Sequence, residues 1–388
     1  SCTNLLEIWI ELADKIKLVD TNEVNFLFMF GFLSYCDEFH NDVYHQILDK
    51  VLKDEFLKKW FPRFQCVGSV DGKGLERLHH ALDNDSSYPW TYNDLSYGKA
   101  YSQIDDYNIA LLIEKLSGKE GGMAPSIEII ALRFLRERKD GVPITKKIVE
   151  VAFKMLSNLP FKEGERDGGM RDYRLAEIAE VCLDERYGYS NSEELCQHIF
   201  DSIEANNLYP SNYSKFLKTV AKKQPSIFLD TFLIKNDPTN YRFRHLFRDS
   251  YQRNQSPIND IPDNILIDWC EINPKERFPI ILEKMSCFRT TEQRGLDWKP
   301  IVYCILIKAE DKQLILRKLK NSIDPTSWSG SKAEILKKRI VLFDKLHNHG
   351  NENVKKWAIQ EKEKFLKYIE TIQESEAARN RIRHESFE

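Results

Sequence analysis

The chain has 388 residues, 42% of them apolar and 30% charged, and its 57 Lys and Arg nearly cancel 60 Asp and Glu to a net charge of −3. That balance removes any global attraction to nucleic acid or to an anionic membrane, so such attraction has to be local. Eight cysteines are scattered without a C-x-x-C pair, which argues against a disulfide framework or a zinc knuckle and makes a reducing cytoplasm the expected setting.

Residues 1–65 read as an N-terminal helical segment. The chain opens Ser1-Cys2-Thr3-Asn4 and passes straight into the apolar pattern Leu5/Leu6/Trp9/Ile10, as expected of a piece of a longer polypeptide. Its most apolar run, Val24 to Cys36, is shorter than the roughly 20 residues a membrane helix needs and reads as a buried helix.

Residues 66–103 interrupt the helical pattern with Gly, Asp, Ser and Tyr, and read as an irregular insertion. Gly68 to Gly74 has too few residues between its glycines for a phosphate loop, and Gly74 stands where Ser or Thr is required. The adjacent His79 and His80 cannot share one helix face, so a common metal is not expected. Tyr88, Trp90, Tyr92, Tyr97 and Tyr101 offer two readings, either a recognition loop or a flap folded back on the helices.

Residues 104–235 carry four apolar sets at i, i+3, i+4 and i+7: Ile109/Leu112/Ile113/Leu116, Ile127/Ile130/Ala131/Phe134, Ile148/Val151/Ala152/Met155 and Leu175/Ile178/Ala179/Cys182. Each makes a stripe that a neighbouring helix must cover. Turns are expected at Asp140-Gly141, between Gly188 and Ser192, and at Gln224-Pro225, with Ser190 and Glu193 as a capping box. Between Lys162 and Arg174, glycines beside Arg166, Arg171 and Arg174 fit an anion cradle less well than an interhelical loop, because Asp and Glu in the same stretch cancel its field.

Residues 236–263 form a second irregular segment combining Arg with aromatics. Phe243, Phe247 and Tyr251 share one helical face, which sets Arg244 and Arg248 on a neighbouring face with Arg242 and Arg253 nearby. These are the residue types that dominate binding hot spots, and Arg clusters also grip phosphates.

Residues 264–388 are the most regular. Ile265/Leu266/Trp269 and Phe278/Ile281/Leu282/Met285 flank Asn273-Pro274, with Asn273 as N-cap, Glu276 three residues on, and a kink expected at Pro279. A second hairpin turns at Asp311 before Ile315/Leu316/Leu319, and a third at Asn353 before Val354/Trp357/Ala358 and Phe365/Ile369/Ile372. The turns are spaced 37 and 42 residues apart, near the roughly 40 to 47 of HEAT-type hairpins. Together these features predict an all-α fold, an α-solenoid of HEAT-like hairpins with two irregular insertions.

The stretch Asp324-Pro-Thr-Ser-Trp328-Ser-Gly-Ser331 with Glu334, the hairpin holding Val354, Trp357 and Ala358, and the charged end His384 to Glu388 are similar to the C-terminal ends of large bacterial STAND-type antiphage NTPases. In that family a helical repeat region follows an ATPase core and recognises a viral trigger protein. The resemblance covers about the last 65 residues and implies a sensor piece, with catalysis in a domain this chain lacks. Beside it, Ser331 and Glu334 read as a capping box, Trp328 as a plug, and the helix from Glu361 onward as a solvated end cap.

The expected function is therefore protein recognition or scaffolding by a solenoid, with a protein partner (a phage protein if the resemblance holds), no cofactor, no metal, no membrane and no catalytic residue. The candidate binding residues are Tyr88, Trp90, Tyr92, Tyr97, Arg242, Arg244, Arg248 and Arg253. A nucleic-acid-binding helical repeat using the Arg242 to Arg253 segment, or a helical enzyme whose residues converge only in three dimensions, are the alternatives.

Overall fold

The computed structural model describes residues 2–19, 24–141, 143–161, 170–187, 192–235, 241–247, 256–292, 295–325 and 327–385. The fold is all-α, and among the described residues the strands are Phe288–Thr290 and Leu296–Trp298, which pair antiparallel. Two compact units make up the chain: Ser1–Pro160 with Arg166–Asn191, and Phe161–Glu165 with Ser192–Glu388.

In the first unit, helices Cys2–Ile16 and Leu27–Phe39 and the short helix Phe61–Gln65 all pack on helix Asn41–Lys53. Phe64 anchors them, with Trp9 at 6.0 Å and Phe26 at 5.0 Å, both edge-on. The four apolar stripes all lie in this unit, on Asp106–Leu116, Met123–Asp140, Lys146–Ser157 and Met170–Cys182, and every one of their sixteen side chains is buried. The first of these helices packs on the third and the second on the fourth, as in stacked hairpins. Gly141 ends its helix at φ 71°, a left-handed turn where a side chain would be strained. Asp106, 5% exposed, holds the stack at one end by accepting from Arg133 Nε at 3.0 Å and from the Thr145 backbone N–H at 2.9 Å.

The second unit repeats this logic. Helix Asp263–Glu271 pairs with Pro274–Lys284, and Pro300–Lys308 with Lys312–Ile323; the first members of the two pairs touch, as do the second members. The turns therefore fall where the spacing places them. Asp311 caps its helix by accepting from the Leu314 N–H at 2.9 Å. Asn273 does not cap: its amide donates to Glu276 at 2.7 Å, so the side chain is engaged by the carboxylate expected to assist it. The helix runs through Pro279 to Lys284. Between the pairs lies the β-hairpin, unforeseen in the helical pattern, whose Trp298 is 1% exposed and donates its indole N–H to the Leu342 carbonyl at 2.8 Å.

Two local expectations are corrected. Residues 66–103 are not irregular: they hold helix Gly72–Asp83, a 3₁₀ segment Pro89–Ser96 and helix Gly98–Gln103. Of residues 236–263, those described hold helix Tyr241–Phe247 and a 3₁₀ turn Pro257–Asp260. Trp328 is 48% exposed and lies under the Lys332 ammonium at 4.8 Å, so it plugs nothing.

Candidate functional site

The Gly68 to Gly74 turn is accounted for structurally, because Asp71 caps helix Gly72–Asp83 by accepting from the Gly74 N–H at 2.8 Å. Arg174 grips Glu128 with two N–H groups at 2.9 Å, and Arg171 donates to the Pro160 carbonyl, while Arg166 and Ser190 lie outside the described residues. His349 sits in the turn before the C-terminal helix with its pKa lowered by burial. Among the described residues no three His, Cys, Asp or Glu side chains are placed to hold a metal ion, and no helix is long and apolar enough to cross a membrane.

The aromatic segment divides by its own period. A 3₁₀ helix has about three residues per turn, so side chains three apart share a face. Tyr92 and Leu95 point inward, 0% and 1% exposed, while Trp90 and Asn93 point outward. Tyr92 donates its hydroxyl to the Leu78 carbonyl at 2.9 Å, and burial pushes its pKa far up. Tyr92 is thus a core residue and not part of a binding surface. Tyr88 is half-buried, strapped by its N–H to the Lys59 carbonyl and stacked on Trp90 at 6.3 Å.

Trp90 and Tyr97, each 51% exposed, remain on the surface. The Arg63 guanidinium lies 5.3 Å from the Phe30 ring and 5.8 Å from Trp90, and donates to Asp94 at 3.1 Å. Tyr97 donates to Glu128 at 3.2 Å; partial burial and that carboxylate raise its pKa. Trp90 is therefore held by Arg63 and Tyr88, and Tyr97 by Glu128.

Arg242 belongs to the other unit and is corrected too. It is 4% exposed, donates to the Leu208 carbonyl at 3.2 Å and packs on the Tyr209 and Tyr241 rings. A guanidinium so enclosed cannot track phosphates. Phe243 and Phe247 are buried as expected; Tyr251, Arg248, Arg253 and the side chain of Arg244 lie outside the described residues.

What the sequence pattern missed is the outer face of helix Leu27–Phe39. Met29, Leu33 and Cys36 are buried, but Leu27, Phe28, Tyr35 and Phe39 are 72%, 73%, 48% and 61% exposed. The run read as a buried helix is buried on one side only. Asn25 starts it by accepting from the Leu27 N–H at 2.9 Å. Tyr35 packs on Phe39 at 5.1 Å and on His40 at 5.6 Å. Gly31 lies between Phe28 and Tyr35, and a Cβ added there would meet nothing within 4 Å. The one sequence signal was that this helix is apolar all round while its neighbours are amphipathic.

No protein-family model matches the chain, and neither the curated proteins nor the solved structures contain a match to it.

Proposed function

We propose that this chain is a protein-recognition α-solenoid, and that the outer face of helix Leu27–Phe39 is its principal contact. The observation that carries the reading is Gly31 between exposed aromatics. Glycine in a helix interior costs about 1 kcal/mol relative to alanine. Nothing inside the fold requires it, since the space beyond its Cα is open and its backbone is ordinary helix. A close approach by a partner's backbone, with Phe28, Tyr35 and Phe39 as flanking anchors, gives the glycine a purpose. Trp90 and Tyr97 supply a second exposed aromatic pair in the same unit.

The hairpin-on-hairpin contacts in each unit support the solenoid class. The role of sensor in a bacterial antiphage NTPase rests on the C-terminal resemblance alone, and a full reading frame encoding an ATPase upstream of Ser1 would support it. The recognition surface is tested by affinity capture with three proteins: the native chain, a Phe28→Ser/Tyr35→Ser/Phe39→Ser variant, and Trp90→Ala. The expected result is a stoichiometric partner retained by the native chain and lost from the triple variant, which keeps its helical circular dichroism. Retention by a folded triple variant would remove this face from the function.

A further inference from the structure

In the second unit a cleft of about 420 Å³ opens between the end of helix Lys312–Ile323, the short helix Val341–Asp344 and the long helix Glu352–Glu385. That volume falls in the range of small-molecule sites, roughly 300–1,000 Å³. Its wall is aromatic: Phe343 and Phe365 are 5.2 Å apart, and Phe365 and Tyr368 6.3 Å. One end is electrostatically balanced, because Asp324 pairs with Lys332 at 2.9 Å and accepts the Tyr368 hydroxyl at 3.3 Å.

The other end is not balanced. Lys320 and Lys364 both contact the single carboxylate of Glu361, each at 2.7 Å. Burial alone would raise the Glu361 carboxyl, but hydrogen bonds from the two lysines outweigh it and hold the pKa below its usual range. The carboxylate is therefore charged and one ammonium is in excess. Each ammonium has three donors and uses one on Glu361. The side chains of Lys320 and Lys364 are 52% and 66% exposed, so their remaining donors are reachable from the cleft mouth.

We infer that this cleft binds a small planar aromatic anion, its ring against Phe365 and Tyr368, which Phe343 backs from the core, and its phosphate or carboxylate between Lys320 and Lys364. The ring gains dispersion and apolar burial on the aromatic wall, and the anion completes a cluster of alternating charge that Glu361 has already drawn together. The inference does not depend on the recognition face, which lies in the other unit.

The test uses the full chain and four probes measured by titration calorimetry: AMP, indole-3-acetate, adenosine and inorganic phosphate. Saturable one-to-one binding of AMP or indole-3-acetate is expected, weakening as salt is raised. Adenosine and phosphate, each carrying half of the chemistry, should bind at least about tenfold more weakly than AMP. Lys320→Met/Lys364→Met/Glu361→Gln removes the charges together and strands no buried carboxylate; it should weaken binding by about tenfold or more. Phe365→Leu stays apolar but loses the ring, and should also weaken it. Absence of saturable binding by both anions, or equal binding by the folded triple variant, would overturn the assignment.

Discussion

Glu376 accepts the Ser331 hydroxyl at 2.6 Å, and its other carboxylate oxygen accepts the Lys332 backbone N–H at 2.7 Å. The helix Lys332–Arg339 is therefore capped twice, locally by Ser331, whose Oγ accepts from the Glu334 N–H at 3.1 Å, and remotely by a residue 45 positions later. Glu334, the expected partner in a capping box, pairs instead with Lys337. The negative charge of Glu376 stands at the positive end of the helix dipole, which binds the hairpin to the C-terminal helix.

Replacing Glu376 with alanine should destabilise this hairpin by about 1 kcal/mol, the usual scale of a lost cap. The hydrogen bond from Ser331, ahead of those from the Lys332 and Ala333 N–H groups, holds the Glu376 carboxyl below its ordinary 4.5. A depressed carboxyl stabilises the fold above the unfolded pKa and loses that contribution as pH falls through the folded one. Amide exchange in residues 332–339 should thus accelerate in Glu376→Ala at pH 7, and the native chain should approach the variant as the pH falls below the carboxyl's ordinary 4.5. Equal protection of the two proteins at pH 7 would refute the remote cap.

Trp90 and Tyr92 should respond very unequally to truncation. Tyr92→Ala removes a fully buried ring and its hydrogen bond to the Leu78 carbonyl, with an expected loss of about 3–5 kcal/mol. Trp90→Ala removes a half-exposed ring touching Tyr88 and Arg63 and should cost less than about 1 kcal/mol. Denaturant unfolding of the two variants measures the difference, and similar losses would contradict the inward and outward assignment.

The stripes were legible because a 3.6-residue period needs only local sequence, and Ile109 or Phe134 can be buried in no other register. The turns at Asp311 and Gln224-Pro225 were legible for the same reason. Tyr92 was not, since a three-residue period over eight positions resembles any polar aromatic loop. Arg242 was misplaced because its enclosure depends on Tyr209 and the Leu208 carbonyl, 34 residues away in sequence. The outer face of Leu27–Phe39 escaped because a helix apolar on every side gives no direction to its own burial.

The buried cysteines should be inert in the native state. Burial pushes the Cys196 and Cys270 thiols up to about 12, and Cys182, also fully buried, rises further. The thiolate is the nucleophile, so these positions should label with iodoacetamide only after unfolding. The half-buried Cys304 should label first among the described thiols, and rapid native labelling of Cys196 would show that its helix opens.

The last 64 residues should be needed to keep the second unit closed, and two truncations separate the reasons. Leu316 and Leu319 are fully buried on helix Lys312–Ile323, which packs against the C-terminal helix. A small core of Ala333, Leu336 and Ile369, flanked by Phe365 and Ile372, joins the hairpin to that same helix. Ending the chain at Asp324 deletes this core, uncovers the leucines and leaves the Trp298 indole N–H without the Leu342 carbonyl. Such a protein should aggregate or melt well below the intact chain, because it exposes apolar side chains that the deleted helices covered. Ending it at Gln373 keeps the core and loses Glu376, so the cost should be near that of the single substitution, about 1 kcal/mol or a few degrees in Tm. Thermal melts and sedimentation of the two truncations decide the matter. If the Asp324 truncation stays monomeric and melts like the intact chain, the hairpin is an appendage and the apolar faces beneath it are covered by other means.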